Sequence, residues 1–329
     1  MNLDATIVST DPIHPAGQAL LASAGCRLLV RQGKSSDELA SLLRVADILI
    51  VRSKLADDIL DGVHRLRGVV RHGSGLDFIP MSRANALAIP VASVPGANSN
   101  SVAEYVFAAI FELTRQLRRA DTVLRNEPWW DARKGFDRAS EIEGRMLGIV
   151  GVGSIGGRVA QIGHFGFGMN VIGHQRCLDA LPAHVRGVAL PELFSSSDFV
   201  VLSCPLTPET QNLVNAAMLS HMKPEAFLIN VSRGQLTDET ALATALQAGT
   251  IAGAALDVFS VQPLPDDHQF RSLNNVLLTP HIAGLTADSM ERLSVGSCEE
   301  ALRLLKGERP SNLANPEIWD AARKRLAAC

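Results

Sequence analysis

Met146-Leu147-Gly148-Ile149-Val150-Gly151-Val152-Gly153-Ser154-Ile155-Gly156-Gly157 is an apolar strand that runs into Gly151-x-Gly153-x-x-Gly156 and then into a helical stretch. The three glycines carry different burdens. Gly151 allows a tight turn, Gly153 lets backbone approach a pyrophosphate, and Gly156 lets the following helix pack close to the sheet. The helix N-terminus then offers free N–H groups and a partial positive charge to phosphates. The plain alternative is a glycine-rich turn with no ligand. The strand before it, the helix after it and a further strand at 170–173 favour a dinucleotide.

Outward from this motif, apolar runs of strand length alternate with helical stretches. Strands are expected at 5–8, 27–30, 47–51, 68–71 and 89–91, with helices at 16–24, 37–45 and 57–63. A second series starts near residue 100 with a helix at 102–118, where Ser101-x-x-Glu104 has capping-box spacing. A polar, irregular segment with Trp129-Trp130 follows. Further strands are expected at 146–150, 170–173, 199–203, 227–231, 253–256 and 276–278, with helices at 156–165 and 238–248. Such alternation implies parallel strands joined by crossover helices, since parallel neighbours cannot share a tight hairpin. The last helix, 287–306, has no strand after it and is expected to pack back on the first domain, making that domain discontinuous. The expected class is α/β, with two doubly wound parallel-sheet domains.

Composition narrows the partners. The 329 residues are 47% hydrophobic and 20% charged, as in a folded globular chain. A net charge of −3, from 31 basic and 34 acidic residues, gives no electrostatic reason to expect nucleic acid or an anionic membrane. The five cysteines (Cys26, Cys177, Cys204, Cys298, Cys329) include no C-x-x-C, which argues against a disulfide framework or a structural zinc and suits a reducing compartment. The histidines lack metal-ligand spacing, so no metal is expected. No basic-then-apolar leader opens the chain, and no apolar run reaches about 20 residues, the length of a membrane span. A cytoplasmic protein is expected.

Polar residues cluster just after the strands of the second series, at the carboxyl edge where open parallel sheets bind ligands. After the strand at 170–173 the usual ribose-binding carboxylate is missing. Gln175 is neutral, and Arg176 could fork onto a 2′-phosphate, which favours NADP(H) and leaves NAD(H) as the second candidate. A solvated Arg176 is the alternative. Further on come Ile229-Asn-Val-Ser-Arg233-Gly234, then Gly253-Ala-Ala-Leu-Asp257-Val-Phe-Ser-Val-Gln262-Pro263-Leu-Pro265, then Leu278-Thr-Pro280-His281-Ile-Ala-Gly284.

These motifs resemble those of the D-isomer-specific 2-hydroxyacid dehydrogenases, the group that includes glyoxylate/hydroxypyruvate reductases and phosphoglycerate dehydrogenases. Val51-Arg52-Ser53, Arg71-His-Gly73-Ser74-Gly75-Leu-Asp77, Asn98…Ser101-Val-Ala-Glu104, Cys204-Pro-Leu-Thr-Pro-Glu-Thr210 and Asn315-Pro316 extend the resemblance over nearly the whole chain. It implies a Rossmann coenzyme domain, 100–284, inserted in a flavodoxin-like substrate domain made of 1–99 and 285–329. Hinges would lie near 99 and 284, with the active site in a cleft, a homodimer paired through the coenzyme domain, and no regulatory domain after 329. The implied substrate is a small 2-oxo or 2-hydroxy acid such as glyoxylate or hydroxypyruvate, with a phosphoglycerate-type substrate left open. Arg233 would hold the substrate carboxylate and polarise its carbonyl, and His281 would donate or accept the proton. Backbone N–H groups near Ser74 and Gly75 would bind the carboxylate, beside Asn98 at the hinge. Ser154 and Ile155 would contact the pyrophosphate and Asp257 the nicotinamide carboxamide. Val231, Ser232 and the His281–Gly284 turn would line the nicotinamide ribose side, Cys204 would lie on the adenine side, and Pro205 and Thr210 would also bind the cofactor.

One departure stands out. The resemblance places a glutamate partner for the histidine where this chain has Gln262. A carboxylate would stabilise the imidazolium; an amide can only accept the ring N–H and fix the tautomer. Asp266 and Asp267 are the nearby candidates for the missing charge. Formate dehydrogenases of the same superfamily also pair glutamine with the catalytic histidine, so formate-like oxidation is one alternative. A nucleotide-sensing protein without catalysis is another. Trp129 and Trp130 read as packing or dimer contacts before a substrate lid, and Cys204 as a small apolar contact. Arg52 and Lys54 either reach an anionic substrate tail or are solvated loop charges.

Overall fold

The computed structural model describes residues 2–33, 35–137 and 139–327; Cys329 lies outside them. The chain forms two compact units, Met1–Asn98 with Leu285–Cys329, and Ser99–Gly284.

The first unit holds β1 (Thr6–Ser9), β2 (Arg27–Val30), β3 (Ile48–Val51), β4 (Gly68–Arg71) and β5 (Val91–Ala92), all parallel, in the order β2-β1-β3-β4-β5. That is the flavodoxin-like order. Side chains alternate between two cores, as strand geometry requires. Val8, Leu49, Val51 and Val69 enter one, while Ile7, Ile48, Ile50 and Val70 enter the other. The second core is closed by the Ala287–Leu305 helix through Cys298, Ala301 and Leu304. Thr286 and Ser289 start that helix with a reciprocal capping box, at 3.0 and 3.1 Å. It lies against the Pro15–Ser23 helix so closely that a Cβ on Gly17 would come within 3.0 Å of the Ser294 carbonyl oxygen. Buried Asn315 accepts the Val91 N–H at 2.8 Å and so ties the returning chain to β5.

The second unit holds β6 (Met146–Val150), β7 (Asn170–His174), β8 (Arg186–Gly187), β9 (Phe199–Leu202), β10 (Phe227–Asn230), β11 (Gly253–Leu256) and β12 (Val276–Leu278). All pair in parallel, in the order β12-β11-β10-β9-β6-β7-β8. This is the Rossmann order with one extra strand, and its direction of growth reverses between β6 and β9. Loops after those two strands are therefore neighbours, at the switch point where such sheets bind ligands.

Three helical expectations need correction. Residues 57–63 form turns: Ile59 and Asp61 donate backwards over three residues at 3.3 and 2.9 Å, and Gly62 turns away at φ 71°. Three aspartates and Gly62, which takes the left-handed region, disfavour a helix there. The helix expected at 102–118 spans Ser99–Arg115 and ends where Gln116 takes φ 51°. The stretch read as irregular carries helices Leu117–Asn126 and Trp129–Ala132. Leu117, Ala120, Val123 and Leu124 give Leu117–Asn126 an apolar stripe at helical spacing, yet none of its residues is fully buried within this chain. The helix expected at 156–165 spans Ser154–Gln161 and widens to a π-helical turn over Ile162–Gly166.

In the first unit His72 is buried, with Nε2 2.9 Å from Ser294 Oγ. Burial, and then the charges of Arg52 and Arg71, push the imidazole down to about 3. The unfolded chain thus takes up a proton near 6.5 that the native chain refuses. Stability from this source is complete above pH ~6.5 and falls as pH drops towards ~3. Melting temperatures between pH 7 and 5 should therefore fall more steeply for wild type than for His72→Gln. Equal slopes would refute the assignment.

Candidate active site

The glycine loop fits a bound dinucleotide. Gly151 has φ +90°, and a Cβ there would lie 2.6 Å from Cys204 Cα, so glycine is required for both the turn and the approach to the β9 loop. A Cβ on Gly156 would meet the Gly151 carbonyl oxygen at 2.2 Å. Gly153 differs: a Cβ there would meet nothing within 4 Å. The side of Gly153 is open space, where a pyrophosphate would come against backbone. Ser154 and Ile155 open the helix beside it, and Gly157 N–H donates to the Gly153 carbonyl at 2.7 Å.

After β7, Gln175 Nε2 donates to the Cys177 carbonyl at 2.8 Å, and Arg176 is exposed. The Glu209 carboxyl is held below its ordinary range, first by the Thr207 hydroxyl, with the Arg176 charge a smaller contributor. Thr210 Oγ1 closes that turn by donating to the Pro205 carbonyl at 2.8 Å and accepting the Thr207 N–H at 2.7 Å. Cys204 is buried, and burial pushes its thiol up to about 11, which suits an apolar contact better than a nucleophile.

Loops after β10, β11 and β12 are stitched together. Buried Val231 leads into Ser232, whose hydroxyl donates to the Cys204 carbonyl. Half-buried Arg233 follows, with Nη1 2.7 Å from the Ser232 carbonyl. Beside it, a Cβ on Gly234 would fall 2.0 Å from the Phe259 carbonyl carbon, and Gln235 Nε2 donates to the Ser260 carbonyl at 3.1 Å. The Arg233 loop is therefore pressed against the segment that carries Gln262. Gln262 Nε2 donates to the Phe259 carbonyl at 3.2 Å, and its Oε1 lies 3.1 Å from His281 Nδ1. With the amide nitrogen committed to a carbonyl, Oε1 is the acceptor, so His281 carries its proton on Nδ1 and presents Nε2 for chemistry. Asp257 is buried and accepts from Thr279 Oγ1 at 2.6 Å and from the Ile282 and Ala283 N–H groups at 2.8 Å each. These bonds fold the turn that carries His281 and ends at Gly284. Asp266 is fully exposed and pairs with Arg271 at 3.3 Å. The carboxylate next to the Gln262 segment is Glu239, which accepts the Ser260 N–H at 2.7 Å and faces His268 at 3.4 Å.

Ser74 and Gly75 belong to the other unit, in the loop after β4. Arg71 clamps that loop: Nε donates to the Gly75 carbonyl at 2.9 Å and Nη1 to the Val51 carbonyl at 2.8 Å. Asn98 Oδ1 is buried with no hydrogen-bond partner, an acceptor left for something else. The Arg52 guanidinium donates to the Pro12 carbonyl, with Nη2 3.7 Å from Met290 Sδ. Sequence reasoning missed the clamp by Arg71 and the bond from the Thr279 hydroxyl to Asp257, although Thr279 lay inside a quoted motif. Among the described residues no group of three His, Cys, Asp or Glu could hold a metal ion, and no helix is long and apolar enough to cross a membrane.

The two glycines separate folding from binding. Gly156→Ala should lower the melting temperature, whereas Gly153→Ala should leave it unchanged and weaken nucleotide binding by at least about tenfold. Calorimetry and a fluorescence titration with NADPH check this; a destabilised Gly153→Ala protein would contradict the open-space reading.

Comparison with known proteins agrees with the geometry. The family model described as "D-isomer specific 2-hydroxyacid dehydrogenase, NAD binding domain" matches residues 107–283. A glyoxylate reductase of Aeropyrum pernix is 36% identical, over 86% of this chain and 87% of its own length. A D-3-phosphoglycerate dehydrogenase of Methanocaldococcus jannaschii is 34% identical over 94% of this chain, which spans only 59% of that protein. The structure of an NADPH-dependent glyoxylate/hydroxypyruvate reductase from Sinorhizobium meliloti superposes with TM-score 0.85 at 27% identity, covering 94% of this chain and 97% of its own. Sequence, sheet order and strand-end loops thus agree, and the chain belongs to the D-isomer-specific 2-hydroxyacid dehydrogenase family.

Proposed function

We propose that this protein reduces small 2-oxo acids of the glyoxylate and hydroxypyruvate type to 2-hydroxy acids, with NADPH preferred over NADH. The observation that carries this is the His281–Gln262 pair at 3.1 Å on the carboxyl edge of a sheet whose glycine loop leaves room for a pyrophosphate. The names of the relatives support the substrate class, and Gln175 and Arg176 in place of a ribose-binding carboxylate support NADPH.

A bound nicotinamide ring supplies hydride to the carbonyl carbon. Arg233 forks onto the substrate carboxylate and carbonyl oxygen and draws electron density from the carbon. Within the first unit we assign substrate binding to the backbone N–H groups around Ser74 and Gly75 and to Asn98. His281 Nε2 gives its proton to the carbonyl oxygen as the alkoxide develops, while Nδ1–H stays on Gln262 Oε1. One hydride and one proton thus convert the 2-oxo acid to the 2-hydroxy acid. We assign the protein to the cytoplasm, in line with four free cysteines among the described residues. We also assign it a homodimer through the coenzyme unit, in line with the Leu117–Asn126 helix, none of whose residues is fully buried, and with Trp129 and Trp130 at 61% and 74% exposure.

A panel of glyoxylate, hydroxypyruvate and pyruvate, each with NADPH and NADH, should show reduction with NADPH favoured. Preference for NADH would overturn the roles given to Gln175 and Arg176. Turnover of formate alone would shift the assignment to the neutral Gln262–His281 pair acting without proton transfer, and tight nucleotide binding with no turnover would leave a sensor. Gln262→Glu should carry reduction to higher pH, because a carboxylate favours the protonated imidazole that reduction needs. Coincident pH–rate curves would rule that out.

A further inference from the structure

Tyr105 is the only tyrosine in the chain and stands on the Ser99–Arg115 helix, outside every strand-end loop described above. Its hydroxyl oxygen lies 2.6 Å from Thr279 Oγ1, which lies 2.6 Å from Asp257 Oδ1. A threonine hydroxyl has one proton, and a carboxylate can only accept. Thr279 therefore donates to Asp257, and Tyr105 donates to Thr279. The relay runs one way, towards the carboxylate. Burial pushes the Tyr105 phenol up to about 12, so it remains a donor at any working pH.

The far end of this relay is the turn of His281. Asp257 also accepts the N–H groups of Ile282 and Ala283, the two residues after the histidine, at 2.8 Å each. His281 donates its own N–H to the Asp257 carbonyl at 2.8 Å and to the Thr279 carbonyl at 3.0 Å. Its backbone sits at φ +56°, in the left-handed region that a residue with a Cβ enters at a cost and keeps only when its surroundings impose it. Thr279 links both features: its carbonyl receives the His281 N–H, and its hydroxyl connects Asp257 to Tyr105.

We propose that Tyr105 is a positioning residue for the reaction: acting through Thr279 and Asp257, its hydroxyl holds His281 in the backbone conformation that sets the imidazole against Gln262. This rests on His281 being the proton donor assigned above. A phenol that merely satisfies its own hydroxyl in the core would leave His281 unaffected when cut back to phenylalanine.

Wild type, Tyr105→Phe, Thr279→Val and the double variant form a cycle, with Thr279→Ser as the conservative control. Two quantities are read: steady-state reduction of glyoxylate by NADPH, and amide hydrogen exchange of peptides spanning 278–284 without nucleotide. Tyr105→Phe and Thr279→Val should each lower kcat about five- to tenfold, with KM for NADPH within about twofold, and each should speed exchange in that turn. The double variant should be no worse than Thr279→Val, since the phenol acts only through the threonine, and Thr279→Ser should stay near wild type. Wild-type kcat and exchange in Tyr105→Phe, or effects that multiply in the double variant, would overturn the proposal. Absence of wild-type turnover with every 2-oxo acid would overturn the assigned reaction instead, and exchange in the turn would still decide the relay. If the double variant does not fold, exchange and kcat in Tyr105→Phe alone decide it.

Discussion

A single buried carboxylate organises the chemistry of the second unit. Asp257, at the end of β11, has no solvent to satisfy it and takes its hydrogen bonds from one turn: the Thr279 hydroxyl and the N–H groups of Ile282 and Ala283. Burying such a group without partners would cost several kcal/mol. The same bonds that offset this cost fix the shape of the turn, including the left-handed backbone of His281. Electrostatic satisfaction of one side chain and placement of the imidazole are one event.

Around that carboxylate the parallel sheet does the rest. Every polar residue assigned to the site in this unit follows the carboxyl end of a strand, or opens the helix next to one, so strand register aligns loops that lie far apart in the chain. Close backbone approaches lock them: Gly151 against Cys204, and Gly234 against Phe259. Neither contact tolerates a side chain. Gln262 is the joint, bonded to the Phe259 carbonyl by its amide nitrogen and to His281 by its oxygen. A carboxylate in its place could not donate to Phe259, so glutamine does a bond's worth of work that the glutamate expected by resemblance could not.

Much of this was legible in the chain because strands buried on both faces must be apolar throughout. Ile48–Val51 and Phe199–Leu202 announce themselves as short unbroken runs. The errors have equally physical causes. Residues 57–63 carry apolar residues at helical spacing but also three aspartates and Gly62, which favour turns, and Leu117–Asn126 forms a helix none of whose residues is fully buried in its own chain. In the site, Arg233, Gln262 and His281 stood in ordered motifs, and the glycine spacing exposed the nucleotide loop. Tyr105 could not be found that way. Its partner Thr279 is 174 positions distant, and no local pattern encodes that meeting. The clamp of Arg71 on Gly75 was hidden differently: a strand-end arginine looks the same whether it faces solvent or bonds three carbonyls.

The interruption of the first unit has a consequence for biosynthesis. The Ser99–Gly284 unit is continuous and can complete its core as soon as it leaves the ribosome. The other unit emerges first yet must wait. One face of its sheet, Ile7, Ile48, Ile50 and Val70, is covered only in part, by Ile13 and by Leu21 of the Pro15–Ser23 helix, until the Ala287–Leu305 helix has been translated. For the time needed to make nearly two hundred further residues, this β-sheet carries an apolar face that is only partly covered. That interval is when a nascent chain of this design most needs a chaperone.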